Sequence, residues 1–92
     1  MTDQILDNAA DSRYEMKLEG GTAFIDYKAS GNVRTLTHAE VPVALRGGGV
    51  AARLTGGALQ LVRSQGIKVI PRCPYIVTFM QRHPEFNDLL AQ

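Results

Sequence analysis

Three consecutive glycines, Gly47, Gly48 and Gly49, separate a short apolar stretch from a long segment whose apolar residues have helical spacing. Glycines leave backbone N–H groups unshielded by side chains, and the positive end of the following helix dipole points toward them. Arg46 directly precedes the glycines and adds a guanidinium that can make a charge-assisted contact with an anion. These residues predict a cradle for a phosphate group.

The spacing around the glycines separates three types of phosphate-binding loop. A P-loop requires a lysine and a serine or threonine after its last glycine, whereas Gly49 is followed by Val50. Residues 47–52 nearly meet the dinucleotide-binding pattern, but too few residues follow for a second nucleotide-binding half. Residues 46–51 meet a third pattern, Arg/Gln-x-x-Gly-x-Gly/Ala. On the loop alone, a strand-to-helix turn without a ligand remains the alternative.

The first half of the chain has the pattern of half-buried strands, in which apolar and polar residues alternate. Gly20 and Gly21 suit a tight hairpin turn, and a second turn cluster covers residues 29–32. Pro42 marks a bulge or the point where the last strand leaves its neighbour. The sequence therefore predicts an antiparallel meander of three strands, with residues 1–10 flexible. The predicted strands cover residues 13–18, 22–28 and 33–41.

The second half predicts a helix, a buried strand and two further helices. An apolar stripe begins at Val50, and the segment ends at Gly66, a residue type that suits a helix C-cap. Gly56 and Gly57 interrupt this helix; they favour close packing on the sheet, with close approach of a ligand as the alternative. A strand–helix–strand order implies a right-handed crossover with parallel strands. The predicted elements are a strand over residues 67–70 and helices over residues 74–82 and 84–90.

The length and composition indicate one α+β domain spanning residues 1–92. With 92 residues, 45% of them hydrophobic, the chain has enough apolar surface for one core and not for two. The predicted order of elements is an antiparallel β-meander, a β-α-β crossover and C-terminal helices, with a tendency toward three α/β layers.

Charge and cysteine content limit the classes of partner. A net charge of +1 gives no global reason to expect binding to nucleic acid or to a membrane surface. The single cysteine excludes an internal disulfide and, with no signal-peptide pattern, favours a reducing cytoplasm. The two histidines are far apart in the sequence, which argues against a metal site.

Several segments carry a resemblance that extends beyond the glycine loop: THAEVP, LRGGGVAARL, ALQLVRSQGIKVIPRCPY and HPEFNDLL. Together they resemble the minimal one-domain GNAT-like family of small N-acetyltransferases, and the similarity covers residues 13–90. The resemblance implies the minimal acyl-CoA N-acyltransferase (GNAT) fold, with acetyl-CoA as cosubstrate. It further implies that the pyrophosphate of CoA sits on Arg46, Gly47, Gly48, Gly49, Val50 and Ala51.

The resemblance also implies where the rest of acetyl-CoA would lie. The pantetheine arm is expected in a splay between residues 36–41 and residues 67–71, and the backbone N–H of Val41 or Val43 would polarise the thioester carbonyl. Tyr75 would pack on the pantetheine or protonate the leaving thiolate; an ordinary amphipathic core tyrosine is the alternative.

Three side chains are candidates for the chemistry. Cys73 precedes a predicted helix start, where a thiol is activated and can accept an acetyl group; a buried cysteine acting as a small hydrophobe or helix cap is the alternative. His38 and Glu40 lie two residues apart and, in a regular strand, share a face with Leu36 near the expected splay. Either can serve as a general base, and either can be an ordinary surface side chain.

Two functions from different classes follow. The first is an N-acetyltransferase in which an amine attacks acetyl-CoA directly, with an acetyl-enzyme at Cys73 as the variant mechanism. The second is a CoA-binding module without transfer activity, acting as a sensor or interaction protein. In larger relatives of the resembled family, helices inserted between the first two strands help to build the acceptor pocket. Here only Glu19, Gly20 and Gly21 separate the first two predicted strands, so the resemblance implies an open acceptor side, which favours an exposed amine on a protein or peptide.

Overall fold

A computed structural model describes residues 4–91 as one mixed sheet with helices packed on it. The five strands follow one another across the sheet in sequence order. The first four pair antiparallel, and the fifth pairs parallel to the fourth. The strands are β1 (Ile5–Asn8), β2 (Arg13–Leu18), β3 (Gly21–Ser30), β4 (Val33–Glu40) and β5 (Lys68–Pro71).

The helices begin and end at the residues that suit caps. The helix α1 (Val50–Gln65) starts after Gly49 and stops at Gly66, whose φ of 72° is the left-handed conformation that glycine adopts easily. The helix α2 (Pro74–Arg82) has a proline in its first turn, where the missing N–H costs nothing. A 3-10 helix, Pro84–Leu89, follows in place of the last predicted helix. No helix within residues 4–91 is long and apolar enough to cross a membrane.

The meander has one strand more than the sequence predicted. Ile5–Asn8 pairs with β2, so the expectation of flexibility through residue 10 differs from the structure over these four residues; residues 1–3 lie outside the described part of the chain. Side chains tie β1 to the fold, because the Tyr27 hydroxyl donates to Asp7 at 2.6 Å. The amide of Gln65, at the end of α1, donates to the other oxygen of the same carboxylate at 2.9 Å. Four residues are too few for an alternation pattern to stand out in sequence.

The core lies between one face of the sheet and the helices. Tyr14 and Met16 of β2, with Ile25 of β3, pack against Leu54 and Leu59 of α1, all with almost no exposed surface. The helices α1 and α2 contact each other on this same face. The described residues therefore form two layers, where the sequence suggested a tendency toward three. The opposite face of the sheet is called the outer face below.

Gly57 allows α1 to approach β1 closely. A Cβ atom placed on Gly57 would lie 2.5 Å from Cγ1 of Ile5, a distance that real Cβ contacts do not reach. Gly56 faces α2, and a Cβ there would make an ordinary contact of 3.7 Å with Phe79. The predicted close packing on the sheet is confirmed for Gly57, whereas Gly56 faces α2 and its contact does not require glycine.

A β-bulge in β4 decides which side chains face the core. Tyr27 pairs with Leu36 across β3 and β4. Its neighbour Asp26 pairs with His38, so β4 contains one extra residue between Leu36 and His38. Because opposed residues share a face, Leu36 points to the core while His38 and Glu40 lie on the outer face. The prediction that His38 and Glu40 share a face with Leu36 is therefore wrong.

The strands β4 and β5 separate just after the bulge begins. Their pairing runs from Val33 with Lys68 to Leu36 with Pro71. The Leu36 carbonyl then accepts hydrogen bonds from the N–H of Arg72 at 2.9 Å and of the next residue at 3.2 Å. The sequence predicted that the splay between β4 and β5 lies within residues that are in fact paired. In the structure the two strands separate only beyond Leu36 and Pro71.

Candidate functional site

The turn after β4 is held in place by the hairpin between β2 and β3. The short 3-10 turn Val43–Leu45 follows Pro42 and closes with a hydrogen bond from Leu45 N–H to the Pro42 carbonyl at 2.8 Å. A methyl group on Gly21 would lie 2.9 Å from Cγ of Pro42, so a glycine is needed where the hairpin meets this turn. This contact fixes the entry to the glycine loop.

The three loop glycines differ in what the backbone requires of them. Gly47 and Gly49 have φ values of 92° and 75°, a region that strongly favours glycine. Gly48 is not among the residues with positive φ, and a Cβ there would meet no atom within 4 Å. Neither backbone strain nor packing therefore explains the glycine at position 48.

The glycine loop leads into an uncapped helix terminus. The first intrahelical hydrogen bond of α1 runs from the N–H of Arg53 to the carbonyl of Gly49 at 3.1 Å. No side chain caps the helix, and its first turn contains no acidic residue. The N–H groups of Val50, Ala51 and Ala52 precede that bond and lie at the positive end of the helix dipole. Such a terminus suits an anion.

A cleft runs along the glycine loop toward the end of β4. One cavity of about 180 Å³ is lined on the loop side by Arg46, Gly47, Gly49, Val50, Ala51 and Ala52, with Val41 and Tyr75 completing the wall. A second cavity of about 280 Å³ shares four of these residues and extends to Ala39 and Glu40. The shared residues make the two cavities one continuous cleft between the end of β4, the start of α1 and α2.

Arg46 and Glu40 connect the loop to the outer face. The Nε–H of Arg46 donates to the Val41 carbonyl at 2.9 Å, and a terminal N–H donates to Oε2 of Glu40 at 3.2 Å. The other carboxylate oxygen of Glu40 is hydrogen-bonded to Nε2 of His38 at 3.0 Å. The pKa of Glu40 lies below its ordinary value, chiefly because of the hydrogen bond with His38, with Arg46 adding to the effect.

The structure brings most of the predicted site residues to this cleft and leaves four outside its lining. Gly48 lies in the loop but does not line the cleft, and Val43 is 76% exposed on the 3-10 turn. The side chain of His38 is 56% exposed and reaches the cleft only through Glu40. Cys73 packs partly buried against the core and makes no capping hydrogen bond with its side chain.

Tyr75 forms the wall opposite the loop. It is 41% exposed, and partial burial raises the pKa of its hydroxyl above the ordinary value. The ring lies 6.4 Å from that of Phe79, measured between centroids, so it packs beside a ring one turn further along α2. Its exposed edge is available to a ligand in the cleft.

Sequence reasoning missed two small residues and one contact. Ala39 and Ala52 line the cleft, and the bulge hides Ala39 because it shifts which residues of β4 face inward. The ion pair between Glu40 and Arg46 joins residues that a bend in the chain brings together. An acidic residue six positions before an arginine predicts an ion pair only when the bend between them is already known. Among residues 4–91, no group of three or more His, Cys, Asp or Glu side chains could hold a metal ion.

Comparison with known proteins identifies the family. The model of the GCN5-related N-acetyl-transferase family matches residues 13–89, which is most of the chain. The chain belongs to this family. The glycine loop, the bulge and the open cleft of this GCN5-related N-acetyltransferase all lie inside the matched range.

A solved structure supports the fold of this GCN5-related N-acetyltransferase. The NMR solution structure of a GCN5-like protein from Staphylococcus aureus superposes with a TM-score of 0.70. That match covers 98% of this chain and 89% of the other, at 18% sequence identity. At this identity the comparison confirms the predicted minimal GNAT fold. No sequence among the curated proteins matches the chain.

Proposed function

We propose that this GCN5-related N-acetyltransferase uses acetyl-CoA to acetylate a primary amine. The observation that carries the cosubstrate is the bare backbone of Gly47 and Gly49, which lines the cleft at the start of α1. A pyrophosphate lying against that backbone would accept hydrogen bonds from its N–H groups, and Gly48 adds no side chain that could hinder the approach. The uncapped N-terminus of α1 and the guanidinium of Arg46 favour the same ligand.

The pantetheine arm and the thioester of acetyl-CoA would lie in the same cleft. The pantetheine arm would run past Val41 and Tyr75, which form its walls. The N–H of Val41 is the better of the two predicted donors to the thioester carbonyl, because Val41 lines the cleft and Val43 is outside its lining. The pyrophosphate would lie against the backbone N–H groups of Gly47, Gly49, Val50 and Ala51.

The transfer step would use Glu40 and Tyr75, which line the cleft beside the end of β4. The amine nitrogen attacks the thioester carbonyl carbon, the C–S bond breaks, and the proton of the attacking amine passes to the carboxylate of Glu40. The hydroxyl of Tyr75 protonates the departing thiolate and, being partly exposed, recovers a proton from water. His38, hydrogen-bonded to Glu40 and largely exposed, would hand the proton on to water.

The acceptor would be an exposed amine on a protein or peptide. Glu40 lies on the outer face, which neither α1 nor α2 covers, so the approach to it is open. The connection between β2 and β3 is too short to build a wall on that side. Such an entrance suits a side chain or chain terminus projecting from a larger molecule. A cytoplasmic location remains a prediction from the single cysteine.

The test combines binding and turnover. Titration calorimetry with CoA should give saturable binding to the wild-type protein and at least about tenfold weaker binding to Gly48→Asp, because the new carboxylate repels the pyrophosphate. Gly31→Asp is the matched control: it adds the same charge in open space at the other end of β4, in a left-handed turn that aspartate tolerates. It should bind CoA like the wild type.

Turnover separates an enzyme from a CoA-binding module. Release of free CoA from acetyl-CoA should be faster with a lysine-containing peptide than with the same peptide acetylated on every amine. Equal rates with both peptides, despite tight CoA binding, would favour the module. Absence of saturable CoA binding by the wild type would refute the proposed function altogether.

A further inference from the structure

Arg46 can reach two different anions from one backbone position. Its guanidinium is bonded to the end of β4, through the Val41 carbonyl and the Glu40 carboxylate. The same side chain lines the cavity beside Gly47 and Gly49, where the pyrophosphate is placed by the proposed function. Two of its five N–H groups are used, one by the Val41 carbonyl and one by Glu40, so a bidentate grip on the pyrophosphate through the Nε–Nη2 edge competes with both contacts.

The ion pair of Arg46 with Glu40 is expected to be weaker than its interaction with a pyrophosphate. The side chains of Arg46 and Glu40 are 57% and 41% exposed, and ion pairs exposed to this degree contribute little. A pyrophosphate carries more charge, accepts bidentate bonds from arginine, and would be held in addition by the N-terminus of α1. Exchange of partners is therefore favoured when the anion arrives.

We propose that Arg46 is a positioning residue that links the two halves of the site: the pyrophosphate of bound acetyl-CoA takes its guanidinium from Glu40, and the carboxylate then becomes a stronger base toward the acceptor amine. This inference rests on the proposed function. Because Arg46 pairs with the carboxylate in the free protein, Glu40 should be a weaker base there than with the cosubstrate bound.

The surroundings of Glu40 determine what the exchange does to it. His38 on the same strand remains hydrogen-bonded to one oxygen, and Asp26 lies on β3 opposite His38. Tyr75 lines the other wall of the cavity that Glu40 enters. Loss of Arg46 removes the one arginine paired with this carboxylate among the described ion pairs, and so raises its affinity for a proton. The same increase in proton affinity makes Glu40 a stronger general base.

The experiment measures the titration midpoint of the Glu40 carboxyl by ¹³C NMR, in wild type, Arg46→Gln and Arg72→Gln, with and without saturating CoA. In the wild type, CoA should move the midpoint upward and shift the Nε–H resonance of Arg46. In Arg46→Gln the midpoint should already be raised without ligand, and CoA should move it less than in the wild type. Arg72→Gln removes the same charge from an exposed position near the splay and should behave like the wild type.

Each failure has its own meaning. If CoA binds the wild type but leaves both the Glu40 midpoint and the Arg46 resonance unchanged, the partner exchange is refuted while the proposed function stands. If Arg46→Gln without ligand titrates like the wild type, the ion pair does not control Glu40 and the inference also fails. If CoA does not bind at all, the proposed function fails, and the inference with it. Inorganic pyrophosphate, added in place of CoA, should reproduce the effect and assign it to the anion.

Discussion

Glu40 lines the cleft and Cys73 does not, and this difference separates the two routes for acetyl transfer at the scale of single residues. We expect Glu40→Gln to lower turnover by about 100-fold or more, because a positioned general base contributes about 10²- to 10⁴-fold. Affinity for CoA should change far less. Cys73→Ala should keep most of the turnover. The measurements are steady-state CoA release with the lysine peptide and calorimetric titration with CoA.

Intact mass spectrometry after mixing with acetyl-CoA tests the alternative route through an acetyl-enzyme. A gain of one acetyl group that disappears in Cys73→Ala, together with loss of turnover in that variant, would establish the acetyl-enzyme route and displace Glu40 from the central role. Glu19→Gln is the matched control for the charge change, since Glu19 is exposed on the turn between β2 and β3.

The residue types at the site were readable from sequence, and their contacts were not. The pattern from Arg46 to Ala51 predicted the loop because glycine spacing is a local property of the chain. The ion pair of Arg46 with Glu40 depends on the bend after Pro42, and the outward position of His38 depends on one extra residue in β4. The bulge exchanges the two faces of β4 beyond Leu36, and the ion pair depends on tertiary geometry, so neither could be inferred from residue types alone.

At the scale of elements, the approach of α1 to β1 rests on one glycine. Gly57→Ala should lower the free energy of unfolding by about 1–3 kcal/mol, since the new methyl would overlap Ile5. Gly56→Ala is the matched control one residue away: its methyl makes an ordinary contact, and alanine favours a helix over glycine by about 1 kcal/mol. It should leave stability unchanged or raise it. Urea unfolding measures both.

A double-mutant cycle tests the cause of the Gly57 effect. Ile5→Ala removes the atoms that the new methyl would meet, so Gly57→Ala should cost less in that background than in the wild type. An equal cost in both backgrounds would mean that the strain comes from elsewhere. A stabilising Gly57→Ala would show that the spacing of α1 and β1 adjusts freely.

Elements with strong local signals were predicted to within a few residues, whereas the strand β1, which has no such signal, was not predicted. Capping glycines and prolines fixed the ends of α1 and α2, because these residues act through their own backbone conformation. The strand β1 forms only because β2 offers an edge and α1 offers Gln65 to hold Asp7. Such tertiary support cannot be read from four residues of sequence.

At the scale of the whole molecule, acid should weaken the fold through its carboxylates. Glu15 is only 6% exposed, and its pKa lies below the ordinary value, first because Asn8 donates a hydrogen bond to it and next because Arg13 does. Glu40, Glu85 and Asp88 also have lowered pKa values, each with a basic partner nearby. These carboxyls join β1 to β2, β4 to the loop, and the C-terminal segment to α1.

The sign of the pH dependence follows from linkage. A carboxyl whose pKa is lower in the folded state binds fewer protons there, so its contribution is complete above the unfolded pKa, about 4.3 for glutamate, and is lost as pH falls through the folded pKa. The free energy of unfolding, measured in urea between pH 7 and pH 3, should therefore decrease as the pH falls below about 4.5.

Glu15→Gln should lower the free energy of unfolding by about 1–2 kcal/mol at pH 7, as expected when a hydrogen-bonded charge is removed, and should make the loss of stability at acid pH less steep. Glu19→Gln should leave both features in place; equal slopes for wild type and Glu15→Gln would show that Glu15 is not the group whose protonation opens the sheet.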